Sequence, residues 1–445
     1  MMVLAPISAS PRVSMLLMLV VVLLFSLLLF ASNRPVAPSS ITEARHQLTE
    51  TDQGILPTTK NASKPKFFLH VGLHKTGTTF LQQSLCGKAE FTQPLFLENN
   101  LVYLGTCEGS QNQPEFVRHG KYLTIHTGGY NDVLEHGSVP EPAGGHNLDY
   151  RFVGLIKALQ TKGHNVLFVF EGLSYFSPTM IDQLKALLVP FWDVEVLVMH
   201  RTFHDWILSF HNQLFKPKRG LRSWAKPLLP FDLENKEAST SAIFDAAEKY
   251  GKHPAQAVQQ LYQNHFERVT LAHLDDLKSM QADGSKGDPL MEYILCTFVN
   301  ASKLCQQEQQ TGAFDSASAN ARQDITFHLL AQEAWSQGLV PDSAPRGKVA
   351  ARIQLELRAR KETSASLPKI CPSNPVMEKF ETVSRQADRN AYNGGSSSSS
   401  RWTDETMIAH RQSFQKLINE GKLCYVDSQK VLSTGEWNAV FQDIQ

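Results

Sequence analysis

HVGLHKTGTTFLQ, residues 70–82, is the stretch from which the fold is read. It begins in KFFLHV (66–71), a nearly continuous apolar run of the kind that a strand buried on both faces requires. A tight turn, G-L-H-K-T-G-T-T, follows at once. TTFLQQSL (78–85) then places Phe80, Leu81, Ser84 and Leu85 on one face of a helix. Gly72 and Gly77 let the backbone turn sharply and approach a ligand closely. The amides of such a turn, with those of the helix N-terminus, point at an anion. Lys75 adds a mobile positive charge, and Thr76, Thr78 and Thr79 add hydroxyls. The order is not that of a Walker A loop, where lysine directly follows the second glycine.

Working outward, three more apolar blocks read as strands: NVLFVF (165–170), VEVLVM (194–199) and RVTLAHL (268–274). Helical segments lie between them. Ser177 followed by Pro178 has the form of an N-cap with a first-turn proline, opening a helix that stops at Pro190. Thr202 with Asp205 has the form of a capping box for a helix carrying Trp206, Ile207, Phe210, Leu214 and Phe215. A further helix is expected near 288–300. Beyond 310 the pattern is mainly helical, at 323–337, 346–362, 375–388 and 403–420, with a flexible break at Gly394, Gly395 and serines 396–400. Residues 100–150, rich in Gly, His, Asn and Pro, read as loops. Strands alternating with helices give an α/β fold, a parallel sheet covered on both faces, with a mainly helical C-terminal portion. Sites in such sheets lie beyond the carboxyl ends of the strands.

The bulk composition sets limits. The chain has 445 residues, 42% of them hydrophobic and 19% charged, which excludes a disordered chain. Lys plus Arg and Asp plus Glu both number 43, so no global field argues for nucleic acid. Residues 15–31, MLLMLVVVLLFSLLLFA, form an uncharged run at the lower limit for a spanning helix, expected as an N-terminal transmembrane signal anchor. Arg12 before it keeps a tail of residues 1–14 cytoplasmic and places the rest in the lumen. A cleaved signal peptide with a long apolar region is the alternative. Residues 32–64, rich in Ser, Thr, Pro and Ala, read as a flexible stem, and 65–445 as the lumenal domain. Six cysteines (Cys86, Cys107, Cys296, Cys305, Cys371, Cys424) include no C-x-x-C pair and suit an oxidising compartment. Cys296 and Cys305 are close enough in sequence to close a short loop. Sequons at Asn61 and Asn300 are compatible with glycosylation.

The turn, read as G-x-x-K-T-G-T-T after a strand and before a leucine- and glutamine-bearing helix, resembles the 5′-phosphosulfate loop of sulfotransferases that use 3′-phosphoadenosine 5′-phosphosulfate (PAPS). The resemblance implies a P-loop-like sheet and assigns Lys75, Thr76, Gly77, Thr78 and Thr79 to the donor, Lys75 also to catalysis. It extends to Arg201 after the strand 194–199, with Ser209 eight positions on, the pair that holds the 3′-phosphate in the family. Asp205 is common at its position there. Phe203 stands where the family often has proline. FVFEGLSYF (168–176) is similar to the F-E-K-S-x-x-Y-F region of heparan-sulfate-modifying members, which makes Glu171 a candidate catalytic base. Ser174 is shifted by one position. Histidine serves as the base in many soluble members, so His70, His74 and His200 stay open as rivals. The resemblance covers roughly 66–300 and implies a carbohydrate or glycoconjugate acceptor, a single-pass type II Golgi membrane protein, and no metal. The 16 histidines are scattered in sequence and form no metal-ligand motif.

A basic stretch, Lys216, Lys218, Arg219, Arg222 and Lys226 around Trp224, reads either as a guide for an anionic glycan or as a solvated loop. The region of Asn320 and Arg322 has no motif that assigns it to the nucleotide. Three other readings stay open: a non-catalytic glycan- or nucleotide-binding relative of the fold, a P-loop kinase, which would need a GK[ST] loop, and a lumenal glycosyltransferase, which often carries a D-x-D motif. This chain has neither motif.

Overall fold

The structure, a computed structural model, describes residues 64–73, 76–86, 95–105, 150–215, 239–277, 281–314, 325–394, 402–433 and 435–442. It divides into Met1–Ala62 and Ser63–Gln445, and only the second unit contains described residues. The expected tail, anchor and stem therefore lie outside the description, apart from Lys64. No described helix is long and apolar enough to cross a membrane.

Among the described residues, five parallel strands form one sheet: β1 (Lys66–Val71), β2 (Leu101–Gly105), β3 (Asn165–Phe170), β4 (Asp193–His200) and β5 (Arg268–His273). Their order is β2-β3-β1-β4-β5, so β1 is central. Every residue of β1 after Lys66 is buried, as its unbroken apolar run requires. Val71, its last residue, stands level with Phe170 on β3 and Val198 on β4.

Helix α1 (Thr78–Cys86) covers one face, burying Phe80, Leu81, Ser84 and Leu85 as the spacing predicts. It shares that layer with α7 (Pro289–Glu292), which continues as a π-helical turn through Phe298, and with residues of α8 (Ser302–Thr311). The opposite face carries α2 (Tyr150–Gln160), α3 (Pro178–Leu188), α4 (Phe203–Phe215), α5 (Ser239–Tyr250) and α6 (Pro254–Gln263). Two later helices, α11 (Asn374–Gly394) and α12 (Asp404–Asn419), close over that layer with Phe380, Val383, Ala387, Phe414 and Leu417. A third core is built by α9 (Thr326–Ser336), α10 (Arg346–Ala359), α13 (Ser428–Leu432) and α14 (Trp437–Phe441). A two-stranded ribbon, β6 (Lys369–Ile370) with β7 (Tyr425–Val426), adjoins it, and Cys371 is bonded to Cys424 beside the ribbon.

Several expectations hold. Ser177 Oγ accepts from the Met180 amide, and α3 ends at Leu188, just before Pro190. Cys296 and Cys305 form a disulfide. Asn300 is exposed. Others need correction. The sheet has a fifth strand, β2, inside the segment read as loops: LVYLG is too short a run to stand out beside so many Gly, His and Asn residues. Helices α2, α5 and α6 also went unread. The Thr202–Asp205 capping box is not what caps α4; its cap comes from distant helices and turns, as follows. Residues 106–149 and 395–400, Cys107, Asn61, the basic stretch 216–226 and the 320–322 region lie outside the described residues.

Candidate functional site

The chain leaves β1 toward the face of α1, whereas after β3 and β4 it turns to the face of α3 and α4. A crevice opens where neighbouring connections diverge in this way, at the carboxyl ends of the strands. Three elements meet that edge. Residues 72–77 follow β1, Glu171 follows β3, and Arg201 follows β4. Neighbouring strands lie ~4.8 Å apart, so the ends of β3 and β4 are roughly 10 Å apart with β1 between them.

The turn after β1 is tightly built. Thr76 is buried, and both its amide and its hydroxyl donate to the Leu73 carbonyl, at 3.3 and 2.8 Å. Its hydroxyl hydrogen therefore ties the turn together. Gly72 must be glycine: a Cβ there would fall 1.6 Å from Thr78 Oγ1. Gly77 has φ +93°, in the left-handed region that favours glycine, and Leu290 fills the space its side chain would take. Thr78 is buried at the first position of α1, and its hydroxyl has no hydrogen-bond partner among the described residues. Gln82 Nε2 donates to the Val169 carbonyl, tying α1 to β3. His74 and Lys75 lie outside the described residues, as does the side chain of Thr79.

Arg201 and Ser209 meet. Arg201 Nη1 donates to Ser209 Oγ at 3.1 Å, and both residues are half-buried. Eight residues are a little over two turns of helix, which returns Ser209 to the side on which Arg201 enters. Asp205, on the same helix, has its carboxyl pushed up, first by burial and further by Asp275, with the Arg201 charge working against both. Glu171 is half-buried at the start of a 3-10 turn (Glu171–Tyr175), and Ser174 Oγ donates to its carbonyl at 3.0 Å.

The histidines offered as rival bases differ sharply in setting. His70 is sealed on β1 with neither ring nitrogen hydrogen-bonded, and burial depresses its pKa to about 4. His200, also buried, belongs to a network that sequence reading missed. Five histidines from β4, β5, α4, α12 and the N-cap of α6 converge near one carboxylate, Asp388 of α11. His200 Nε2 lies 3.0 Å from Asp388 Oδ1, and His410 Nε2 lies 3.2 Å from Asp388 Oδ2. His200 Nδ1 faces His273 Nδ1 at 2.9 Å, while the ring of His253 lies 4.3 Å from that of His200. His204 contacts Ser384 and Ser413 at 3.0 and 3.1 Å. Burial pushes the Asp388 carboxyl up. Hydrogen bonds from His200 and His410 and the field of the histidines more than reverse this, and the group is held well below the usual carboxylate range.

Two trios in this network bring possible metal-ligating atoms within 4.8 Å: His200, His253 and Asp388, and His204, Asp388 and His410. Their lone pairs are committed elsewhere. His253 Nδ1 accepts from the Ala255 amide, which puts the ring hydrogen on Nε2, the atom that would have to ligate. In the second trio Ser384 Oγ takes the central place, 3.0 Å from His204 Nδ1, 3.1 Å from His410 Nε2 and 3.3 Å from Asp388 Oδ2. The arrangement is that of a hydrogen-bond network.

The same network caps α4. The Thr202 amide donates to Asp275 Oδ2 at 3.2 Å, the Phe203 amide to both oxygens of Asp388 at 3.0 and 3.2 Å, and the His204 amide to Ser384 Oγ at 3.2 Å. The Thr202 hydroxyl turns to Asp275 as well. Three successive amides at this helix start are thus held by side chains 73 to 185 residues away. An anion at Arg201 must be met by side chains, because these amides are occupied. No protein-family model matches this chain, and no curated protein matches it significantly, so its chemistry is read from its own residues.

Proposed function

We propose that this chain is a PAPS-dependent sulfotransferase, of P-loop-like architecture, acting on a hydroxyl or amine of a carbohydrate or glycoconjugate. The observation that carries the reading is the meeting of Arg201 with Ser209 one strand away from the glycine-bounded turn after β1. Two anion-suited elements on neighbouring strands of one sheet edge fit the two phosphorylated ends of one nucleotide. Thr78, buried and without a hydrogen-bond partner among the described residues at the start of α1, leaves a hydroxyl for the 5′ end.

In this reading the turn and α1 hold the 5′-phosphosulfate through Lys75, Gly77, Thr78 and Thr79, while Thr76, whose amide and hydroxyl both donate to the Leu73 carbonyl, braces the turn instead of holding the donor, and Arg201 with Ser209 holds the 3′-phosphate. The acceptor oxygen or nitrogen attacks sulfur in line as the sulfur–oxygen bond to the 5′-phosphate breaks. Lys75 neutralises the charge gathering on the leaving phosphate oxygen. Glu171, the half-buried carboxylate one strand from the turn, takes the acceptor proton. Of the rival bases, His70 and His200 are buried, which favours Glu171. The products are the sulfated acceptor and adenosine 3′,5′-bisphosphate. The apolar run 15–31 anchors the chain in the Golgi membrane as a type II protein, with the domain in the lumen.

Calorimetry on the full-length chain tests the donor site. Adenosine 3′,5′-bisphosphate should bind more tightly than adenosine 5′-phosphate. Arg201→Ala should weaken only the former, by about 10- to 100-fold, the worth of a charged hydrogen bond. Equal affinity of mutant and wild type for the bisphosphate would remove Arg201 from the site. Labelled-sulfate transfer across glycans then identifies the acceptor. Loss of transfer in a folded Lys75→Ala variant separates an enzyme from a binding relative.

A further inference from the structure

We propose that Asp388, with Ser384 one helical turn before it, is a positioning residue for Arg201. The inference rests on the reading of Arg201 and Ser209 as the 3′-phosphate site. Its own ground is geometric. Arg201 is flanked in sequence by His200 and, beyond Thr202, by Phe203. Asp388 holds both neighbours: His200 through its ring Nε2 at 3.0 Å and Phe203 through its amide at 3.0 and 3.2 Å. Ser384 holds the next amide, that of His204. These two side chains come from α11, which packs against α4, α5, α6 and α12. From the other side Asp275, just after β5, holds residue 202. The short link from β4 to α4 is thus clamped on both sides of Arg201, whose side chain is directed to Ser209.

The clamp is built for direction rather than for charge alone. A carboxylate that binds the side chain of one residue and the amide three positions later fixes the backbone between them. It thereby fixes where the intervening side chain leaves the chain. A guanidinium that keeps the competent direction only one time in ten binds its anion roughly tenfold more weakly. Asp388 is buried and does not reach the crevice, so it acts through Arg201 and not on the nucleotide. The sequence gives no hint of it: Asp388 lies 185 residues from Phe203.

The test is a double-mutant cycle on the full-length chain. The quantity read is discrimination, the Kd for adenosine 5′-phosphate divided by that for adenosine 3′,5′-bisphosphate. Asp388→Asn should lower discrimination roughly tenfold in the wild-type background and leave it unchanged in the Arg201→Ala background. An unchanged ratio in the folded single variant, or an equal fall in both backgrounds, would overturn the proposal, since a general loss of packing does not act through Arg201. Should Asp388→Asn not fold, Ser384→Ala carries the test. A smaller fall confined to the background with Arg201 supports the proposal, and no fall overturns it. If the wild type does not discriminate, the phosphate reading of Arg201 fails separately. A crystal structure of Asp388→Asn then decides: Arg201 turned away from Ser209 supports the clamp, and Arg201 still bonded to it overturns it.

Discussion

Acidification from pH 7.5 to 5.5 is expected to cost the folded domain about 4 kcal/mol. Three buried histidines set the figure. Burial holds His70 at about 4. Burial, with the neighbouring His410, holds His204 at about 3. His273 is held at about 2, by burial first and then by His200. His253, held well below the ordinary value for the same two reasons, adds to the loss in the same direction. In the unfolded chain each titrates near ~6.5. Below that point the unfolded chain takes up protons that the folded chain refuses, so stability falls as pH falls, from about 6.5 down to the folded values. Each of the first three groups contributes about 0.06 kcal/mol of this loss at pH 7.5 and about 1.4 at pH 5.5, and the three together give about 4 kcal/mol. That approaches the lower end of the stability of an ordinary domain, roughly 5–15 kcal/mol. Asp388, with its pKa depressed, adds stability that is lost only as pH falls below the usual carboxylate range, beneath this window. Asp205, Asp276 and Glu308, with pKa values raised chiefly by burial, work the other way and trim the loss as they take up protons first in the folded state. Urea unfolding followed by tryptophan fluorescence at the two pH values measures the difference. His70→Leu should reduce it by about 1.4 kcal/mol, the share of one group. A change below about 1 kcal/mol between the two pH values would refute the claim that these rings stay neutral in the fold.

Other outcomes follow from single features. Gly72→Ala should destabilise by roughly 1–3 kcal/mol, the cost of overpacking, because the new methyl meets Thr78 Oγ1 at 1.6 Å; a urea midpoint equal to wild type would contradict it. Removing the Cys371–Cys424 bond, which closes a loop of 53 residues, should cost roughly 4 kcal/mol, read in the same assay with both cysteines changed to serine. Glu171→Gln should lower labelled-sulfate transfer at least about 100-fold with bisphosphate affinity unchanged, as loss of a general base does. Retained transfer would move the role of base to a histidine.

What the sequence made legible is what is local. Strands β1 and β3 announce themselves because burial on both faces demands a nearly unbroken apolar run, and β4 and β5 do so by apolar blocks that a charged or polar residue interrupts. Strand β2 does not, since five residues in a polar segment carry too little pattern. The Cys296–Cys305 pair is nine residues apart and could be guessed, whereas Cys371–Cys424 could not. Arg201 and Ser209 were readable because two turns of one helix fix their relation. The network around Asp388 was invisible: residues 200, 204, 253, 273 and 410 are scattered in sequence, and only the packing of α11, α12 and the α6 N-cap onto the end of β4 brings them together. The capping box failed for the same reason. Thr202 has the right neighbour in Asp205, but Asp275 competes for its hydroxyl and wins it.

The starts of α1 and α4 look alike in sequence, each a short turn with a threonine before an apolar helical face, yet folding gives them opposite electrostatics. At the start of α4 two carboxylates and a hydroxyl occupy the amides of Thr202, Phe203 and His204, and Asp275 and Asp388 bring negative charge to the positive end of the helix. An anion is then welcome only through a side-chain cation, and Arg201 supplies it. At α1 the first helical residue, Thr78, has a buried hydroxyl with no hydrogen-bond partner among the described residues, beside a glycine turn, so in the proposed reading the helix start itself is what an anion would meet there. A ligand with two charged ends would therefore meet a backbone-type site at one end and a side-chain-type site at the other. Substitutions at 201 or 209 should weaken one end alone, and a nucleotide phosphorylated only at its 5′ end should scarcely feel them.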